Sequence, residues 1–265
     1  MTLLSICIPT FNRAGSVLAL VEALHRVPGD FEICIHDDGS SDDTYARLTE
    51  IGDPRLRLSR SANGGRALAL RAAIGRASGH FAMIHDDDDM LHPEGLAVVL
   101  ADCAAPLPDG CAGFVYHLED DLGQRIGGDF PVARSNLVAL RADCGVTGDK
   151  KEVVLRPLLL AAMDVPGRPC RVPTSLYWTR LACSHDILCR NVTIGRKSYL
   201  AGGMSDRIAV LKAANPQPMY LLARARVAAF AAGRYRSPGF LLRSLAGVAL
   251  HGARAVLGGA RRQGS

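Results

Sequence analysis

The sequence lacks the glycine-rich signatures of the commonest nucleotide-binding enzymes. The turn after the first predicted strand has no glycine before Gly15, whereas a nicotinamide-dependent enzyme shows G-x-G-x-x-G at that position. The phosphate-binding pattern G-x-x-x-x-G-K-S/T is absent as well. The first absence disfavours a dehydrogenase, and the second excludes a P-loop nucleotide hydrolase.

Cysteine pairs and long apolar runs are missing too. Among the eight cysteines there is no C-x-x-C pair, which disfavours both a zinc site and a disulfide framework. No uninterrupted apolar window of about 20 residues exists, so we expect no membrane-spanning helix. The N-terminus shows no basic region and cleavage site of the signal-peptide kind. Together these absences predict a cytoplasmic protein.

Acidic residues are absent from the last part of the chain. After Asp206 there are ten Lys or Arg and no Asp or Glu, so residues 1–206 carry 21 basic and 26 acidic residues. A mildly acidic body argues against nucleic-acid binding, and a strongly basic tail suggests contact with something anionic.

The tail, residues 207–265, contains a predicted basic amphipathic helix. At about 100° per residue, Arg243, Arg254 and Arg261 fall within about 20° of one another on a helical wheel. The remaining positions are mostly Leu, Val, Ala and Gly. Such a helix can lie in a membrane interface, which would place the protein peripherally on the inner face of the membrane. Docking on the protein body and contact within a homodimer are the alternatives.

Strand-like and helix-like segments alternate over the first hundred residues. Continuous apolar runs predict buried strands, and apolar positions at helical spacing predict the helices between them. This order implies the α/β fold class, with a mostly parallel central sheet flanked by helices. Pro9 is expected to end the first strand. The predicted strands here are 4–8, 31–36, 56–58 and 81–84.

Polar clusters follow three of these strands. In a parallel sheet the carboxyl ends of the strands share one edge, where open α/β folds bind ligands, so the clusters are expected to converge. The turn Asn63-Gly64-Gly65 would let a ligand approach the backbone closely. The three clusters are Pro9 to Arg13, Asp37 to Ser40, and Asp86 to Asp89.

The run from Asp86 to Asp89 needs neutralisation, because four adjacent carboxylates repel one another. Oxygen-only ligands suit a hard divalent cation such as Mg²⁺ or Mn²⁺. A metal held by one or two carboxylates fills its other positions with water and substrate phosphates. The alternative is a solvated acidic turn.

Together these segments resemble glycosyltransferase family 2, whose members have the GT-A fold. The resemblance covers residues 4–100 through four motifs in matching order and spacing. The last of them, followed by Pro93, looks like the family's D-x-D segment. The four motifs are 5–13, 31–40, Asn63-Gly64-Gly65 and 84–89.

The resemblance implies transfer of a sugar from a nucleotide-diphosphate sugar to an acceptor hydroxyl, with inversion and with Mn²⁺ or Mg²⁺. Residues 1–100 would bind the donor, and residues 101–206 would form the acceptor-binding half of the same domain. Asp88 would bind the metal, a Lewis acid for the leaving diphosphate. The positions expected to contact the nucleotide are Pro9, Thr10, Phe11, Asn12, Arg13, Asp37, Asp38, Asn63, Gly65, Asp86 and Asp87.

Structural roles are the alternative for two residues of the run. Of Asp87 and Asp89, one is then expected to cap the next helix and the other to face solvent. Neither would in that case contact the donor.

The general base is not evident at its expected position. The segment 172–182 resembles the one in which the family carries an acidic base before a helix. Thr174 occupies that position, and a threonine hydroxyl cannot accept a proton at neutral pH. Asp186, Asp149 and Glu152 are the other candidates for the catalytic base. An acceptor that is already ionised would require none.

The acceptor is expected to be a glycan, a glycolipid or a small molecule, and two other functions stay open. A nucleotidyltransferase has a similar nucleotide-binding half, but it typically needs a basic glycine-rich loop near the N-terminus, which the sequence lacks. A catalytically silent nucleotide-sugar-binding module is motivated by Thr174.

Overall fold

The computed structural model describes residues 2–167, 169, 171–198 and 214–262, the last six of these by their backbone only. The expected boundary of the tail at residue 206 lies outside the described residues. Within the described parts of the chain, no helix is long and apolar enough to cross a membrane.

The described residues form one mixed sheet of nine strands. The strands are β1 (Leu4–Thr10), β2 (Phe31–Asp37), β3 (Leu56–Arg60), β4 (Phe81–Ile84), β5 (Met90–Leu91), β6 (Cys111–Glu119), β7 (Arg134–Ser135), β8 (Lys150–Leu155) and β9 (Asp186–Arg196). Their order in the sheet is β3-β2-β1-β4-β8-β6-β9-β5, and β7 pairs with β9 beside this path.

Helices cover both faces of the sheet. The helices are α1 (Ala14–His25), α2 (Thr44–Thr49), α3 (Arg66–Arg76), α4 (Pro93–Ala104), α5 (Leu137–Ala142), α6 (Arg156–Ala162), α7 (Thr174–Ala182), α8 (Pro216–Ala231) and α9 (Pro238–Arg262). On one face of the sheet α1 and α4 pack with residues such as Leu20, Leu24 and Val99. On the other face α3, α6 and α7 pack with residues such as Ile74 and Leu176.

The first four strands pair in parallel, as predicted. Every residue of β1, β2 and β4 is buried, as expected for strands that are covered on both faces. Their continuous apolar runs were therefore a reliable signal.

The prediction that Pro9 ends the first strand is wrong. β1 pairs with β2 as far as Thr10, but with β4 only as far as Cys7. β4 has already ended at the level of Pro9. It therefore has no carbonyl there that would need a hydrogen bond from the N–H that proline lacks. The extension carries Thr10 to the edge of the sheet.

The sheet changes direction at β8, which is antiparallel to both of its neighbours, β4 and β6. Residue Lys150 at the start of β8 therefore lies at the edge where β4 and β6 end. Strand β9 is parallel to β6 and ends at this edge too. We call it the carboxyl edge, and it collects residues from both halves of the chain.

Two helical glycines test how tightly the helices pack on the sheet. A Cβ at Gly95 in α4 would lie 2.5 Å from the backbone of Ile194 in β9, whereas a Cβ at Gly75 in α3 would meet nothing within 4 Å. We expect Gly95→Ala to lower the free energy of unfolding, toward the upper end of the range of about 1–3 kcal/mol for overpacking.

Gly75→Ala is the matched control, since Ala is more stable than Gly in a helix interior by about 0.5–1 kcal/mol. It should raise the free energy of unfolding by that amount in urea titrations. Equal effects of the two substitutions would contradict the close packing of α4 on β9.

Candidate functional site

The Asp run, Asp86 to Asp89, lies at the carboxyl edge between β4 and β5. Asp86 is ion-paired with Arg66, the first residue of α3, and its Oδ2 lies 3.4 Å from Lys197 Nζ. Burial would raise the pKa of Asp86, but the charges of Arg66, Lys151 and Lys197 outweigh burial and hold this pKa well below its usual range. Asp86 is therefore a stably ionised carboxylate.

Asp89 at the other end of the run is only 1% exposed. Its carboxylate lies 3.3 Å from Lys151 Nζ and 3.5 Å from Lys197 Nζ. The expectation that Asp87 and Asp89 share the roles of helix cap and solvent-facing residue is wrong. His92 holds the cap position of α4, without a side-chain capping hydrogen bond, and Asp89 is buried because two lysines neutralise it.

The two central carboxylates contact the turn that follows β1. Thr10 Oγ1 donates a hydrogen bond of 2.7 Å to Asp87, and burial raises the pKa of Asp87 to about 6. Arg13 Nη1 lies 2.8 Å from Oδ2 of Asp88. No described residue forms a hydrogen bond with Oδ1 of Asp88.

These donors fit a divalent cation held through a single carboxylate. The described part of the chain gathers no three His, Cys, Asp or Glu side chains into a metal-binding group. Mg²⁺, however, is commonly bound through one or two carboxylates plus water and substrate phosphates. Asp88 offers such an oxygen at a partly exposed position, and Arg13 places a positive charge beside it.

Asp38 organises the glycine turn that we expected to border the nucleotide. Its two carboxylate oxygens accept hydrogen bonds of 2.8 Å each from the backbone N–H groups of Gly64 and Gly65. Gly65 has φ +90°, and a Cβ at Gly39 would lie 2.7 Å from the backbone N of Asn63. The turns after β2 and β3 are therefore in close contact at the carboxyl edge.

Asp37 and Asn12 engage the protein itself. The buried Asp37 carboxylate lies 3.0 Å from Arg60 and accepts a hydrogen bond from the backbone N–H of Ser40. Asn12, at φ 51°, accepts a hydrogen bond of 2.8 Å from the backbone N–H of Ser41. Both side chains connect the loop after β2 to its surroundings.

Two residues of the first turn differ in accessibility. Pro9 is buried in β1, whereas the ring of Phe11 is 43% exposed at the carboxyl edge. The exposed ring of Phe11 offers a flat surface on which a planar base can stack.

Asp186, a candidate for the base, lies at the opposite edge of the sheet. It is the first residue of β9, and the strand of 11 residues spans roughly 30 Å at about 3.3 Å per residue before it reaches Lys197. Burial opposes ionisation of Asp186, but hydrogen bonds from Arg134 and Arg234 lower its pKa. The structure therefore does not bring Asp186 to the Asp run.

Asp149 does lie at the carboxyl edge. It precedes β8, and its Oδ2 is 4.0 Å from Nζ of Lys197. Because Lys197 also contacts Asp86 and Asp89, Asp149 belongs to the charge network of the Asp run.

Glu152 points to the other face of β8 from Lys151, since side chains alternate along a strand. It lines a pocket of about 100 Å³ together with Ser175 and Trp178 of α7. Burial raises the pKa of Glu152 to about 8. Thr174, at the position expected for the base, is the first residue of α7.

Three cations of the site were missed by sequence reasoning: Arg66, Lys151 and Lys197. Arg66 directly follows the Asn63-Gly64-Gly65 turn, and this neighbourhood is a local signal that could have identified it. The two lysines have no such signal, because their approach to the Asp run depends on the directions of β8 and β9.

The buried pair of Lys151 and Asp89 allows a stability test. Lys151→Met leaves a buried carboxylate with Lys197 alone, so we expect a loss of up to about 3 kcal/mol in the free energy of unfolding. The matched control is Arg26→Met, which removes an exposed pair with Glu22 and should cost less than about 1 kcal/mol. Urea unfolding at pH 7 measures both, and equal losses would contradict the role of Lys151.

Glu152 predicts a pH-dependent effect. Its pKa in the folded protein, about 8, is above the ordinary value of 4.5. The folded state therefore holds this proton more tightly, and stability falls as the pH rises between these two values. Glu152→Gln should match wild type in melting temperature at pH 5 and exceed it at pH 8.5.

Glu50→Gln, at an exposed position after α2, is the control and should show no such gain. A melting-temperature difference for Glu152→Gln that is the same at both pH values would refute the raised pKa.

Comparison with known proteins identifies the family. The model of glycosyl transferase family 2 matches residues 5–143, more than half of the chain. The chain is 37% identical over 101 residues to the chondroitin synthase of Pasteurella multocida, a segment that is 37% of this chain and 10% of that protein. The chain thus spans about a tenth of that relative's length.

Several solved structures resemble this fold. Staphylococcus aureus TarS 1–349 has a TM-score of 0.66 at 15% identity, over 94% of this chain and 71% of that one. The mannosyltransferase PcManGT from Pyrobaculum calidifontis, in complex with GDP-Man and Mn²⁺, has a TM-score of 0.56 at 17% identity, over 98% and 79%. These similarities confirm the expected GT-A fold, and the match over residues 5–143 shows that the chain belongs to glycosyl transferase family 2.

Proposed function

We propose that this chain transfers a sugar from a nucleotide-diphosphate sugar to an acceptor hydroxyl, with a divalent metal ion and with inversion. The supporting observation is the meeting of the turns after β1, β2 and β3 with the Asp run at the carboxyl edge. PcManGT binds GDP-Man and Mn²⁺, which supports the donor and metal classes. The chondroitin synthase relative supports a polysaccharide or a glycoconjugate precursor as acceptor.

The donor's base and ribose are assigned to the turns after β1 and β3. The exposed ring of Phe11 supplies a stacking surface, and Asn63 and Gly65 form the border that Asp38 holds in place. Asp37 and Asn12 act by positioning the loop after β2, since the Asp37 carboxylate and Oδ1 of Asn12 accept hydrogen bonds from that loop.

The diphosphate is assigned to the Asp run and its cations. A divalent ion bound to Asp88 would supply Lewis-acid stabilisation of the leaving diphosphate. Arg66 and Lys197 reduce the negative charge of the run, so that an anionic diphosphate can approach it. Arg13 is placed to contact both Asp88 and a phosphate group.

The transfer itself is a single displacement. The acceptor oxygen forms a bond to the anomeric carbon, the bond from that carbon to the diphosphate oxygen breaks, and the acceptor proton passes to a base. Of the three candidate bases, we assign the proton to Asp149, because it lies in the charge network of the Asp run. Glu152 faces the opposite side of β8, and Asp186 lies at the far edge.

The donor and metal assignment predicts a metal-dependent thermal shift. We expect one of UDP, GDP, CDP or dTDP to raise the melting temperature when Mn²⁺ is present. A ligand at about 100 times its dissociation constant adds about 2.7 kcal/mol to the free energy of unfolding. Asp88→Asn should abolish the effect of Mn²⁺ on this shift.

Asp30→Asn is the matched control for this experiment. Asp30 is exposed and precedes β2 at the opposite edge, so this variant should behave as wild type. If none of the nucleotides shifts the melting temperature of wild type, the proposed donor site is refuted.

The base assignment predicts a difference among carboxylate variants. Asp149→Asn should lower kcat for sugar transfer by at least about 100-fold, the usual contribution of general base catalysis, with unchanged nucleotide binding in the thermal-shift assay. Asp186→Asn should keep kcat within about threefold if it remains folded, because the residue lies roughly 30 Å away. Retained turnover in Asp149→Asn would exclude it as the base, and tight nucleotide binding without turnover in wild type would indicate a silent binding module.

A further inference from the structure

Helix α9 presents an apolar face to solvent. Among its described side chains, Leu242 is 65% exposed, Leu245 45%, Leu250 50% and Val256 74%. Exposed alanines at positions 246, 249 and 253 fill the surface between them. A soluble monomer rarely exposes a contiguous apolar patch of this kind without a function for it.

The opposite face of α9 is docked on the protein. Phe240 and Ser244 are buried, and a Cβ at Gly247 would lie 3.2 Å from Cβ of Ala223 in α8. A Cβ at Gly252 would lie 3.2 Å from the ring of Tyr220. Small residues thus bring α9 close to α8 over several turns, and the apolar face points outward because the other face is already covered.

Charge is arranged at one border of this outward face. At about 100° per residue, its apolar positions cover an arc of about 140°, and Arg243 and Arg254 follow at one side of it. Both arginines are exposed, as are Arg224 and Arg236 nearby in sequence. No Asp or Glu occurs in α8, α9 or the turn between them. The exposed Asp143 of the body lies at the start of α9, where it accepts hydrogen bonds from the backbone N–H groups of Arg236 and Ser237, and the charged side chains that border the outward face are arginines.

We propose that the outward face of α9 lies in the interface of an anionic lipid bilayer. The leucines and Val256 would enter the boundary between headgroups and acyl chains, and the arginines would contact lipid phosphates, as in other interfacial helices. The helix lies on the membrane rather than across it, in keeping with the finding that no described helix can span a bilayer.

A second copy of the chain fits this face less well. In an antiparallel twofold contact the same patch meets itself, so the borders that carry Arg243 and Arg254 in the two copies would lie side by side. The helix pair offers no acidic side chain to compensate them. An anionic lipid surface supplies both the apolar layer and the opposite charge.

Vesicle sedimentation tests this placement without any substrate, independently of transferase activity. The full chain should sediment with vesicles of phosphatidylcholine containing one third phosphatidylglycerol, and far less with phosphatidylcholine alone. The double variant Leu242→Glu/Val256→Glu should lose at least about tenfold in partition coefficient, since it places two charges in the inserted face. Arg243→Gln/Arg254→Gln should lose binding to the anionic vesicles and weaken its salt dependence.

Leu122→Glu is the matched control, because Leu122 is 82% exposed in the turn after β6. It should bind vesicles as wild type does, and all variants should melt at the wild-type temperature, since the changed side chains are exposed. Absence of wild-type binding to anionic vesicles, or undiminished binding by Leu242→Glu/Val256→Glu, would overturn the proposal. So would a dimer in sedimentation velocity that this double variant converts to monomer, since a second copy would then cover the face.

Discussion

The carboxyl edge depends on the Asp run, in which cations of the same chain pair with three of the four adjacent carboxylates and Thr10 donates a hydrogen bond to the fourth, Asp87. Arg66 and Lys197 contact Asp86, Arg13 contacts Asp88, and Lys151 and Lys197 contact Asp89. With these pairs in place the run can be partly buried next to β4, where repulsion would otherwise expel it. The turns that are proposed to hold the donor lie around this neutralised centre.

Much of the first half of the fold could be predicted from sequence because its signals are local. Buried parallel strands appear as continuous apolar runs, and the polar turns follow each strand directly. The second half depends on strand direction, which no local pattern encodes. The antiparallel course of β8 brings Lys151 to Asp89, and the course of β9 takes Asp186 away from the site. Pro9 misled the prediction because its tolerance within β1 depends on where the neighbouring β4 ends.

The two edges of the sheet have different chemistry. At the carboxyl edge the ion pairs range from the buried pair of Lys151 and Asp89 to the partly exposed pair of Arg13 and Asp88, and they adjoin the proposed donor site. At the opposite edge Asp186 pairs with Arg134 and Arg234, and Arg234 also donates hydrogen bonds to the backbone oxygens of Ala182 and His185. Arg234 lies in the turn between α8 and α9, so this second network attaches the helix pair to the body of the protein.

The direction of β8 also bears on how such a protein can change during evolution. The segment of 101 residues shared with the chondroitin synthase relative is shorter than the unit that folds here, because β4 at the centre of the sheet needs β8 as its neighbour. Two of the cations of the Asp run, Lys151 and Lys197, come from the later part of the chain as well. The half proposed to bind the donor, transplanted alone into another protein, would carry an unpaired strand edge and an acidic run that keeps Arg13 and Arg66 but lacks both of its lysines. Recombination between family members must therefore exchange both halves together or supply matching lysines from the new partner.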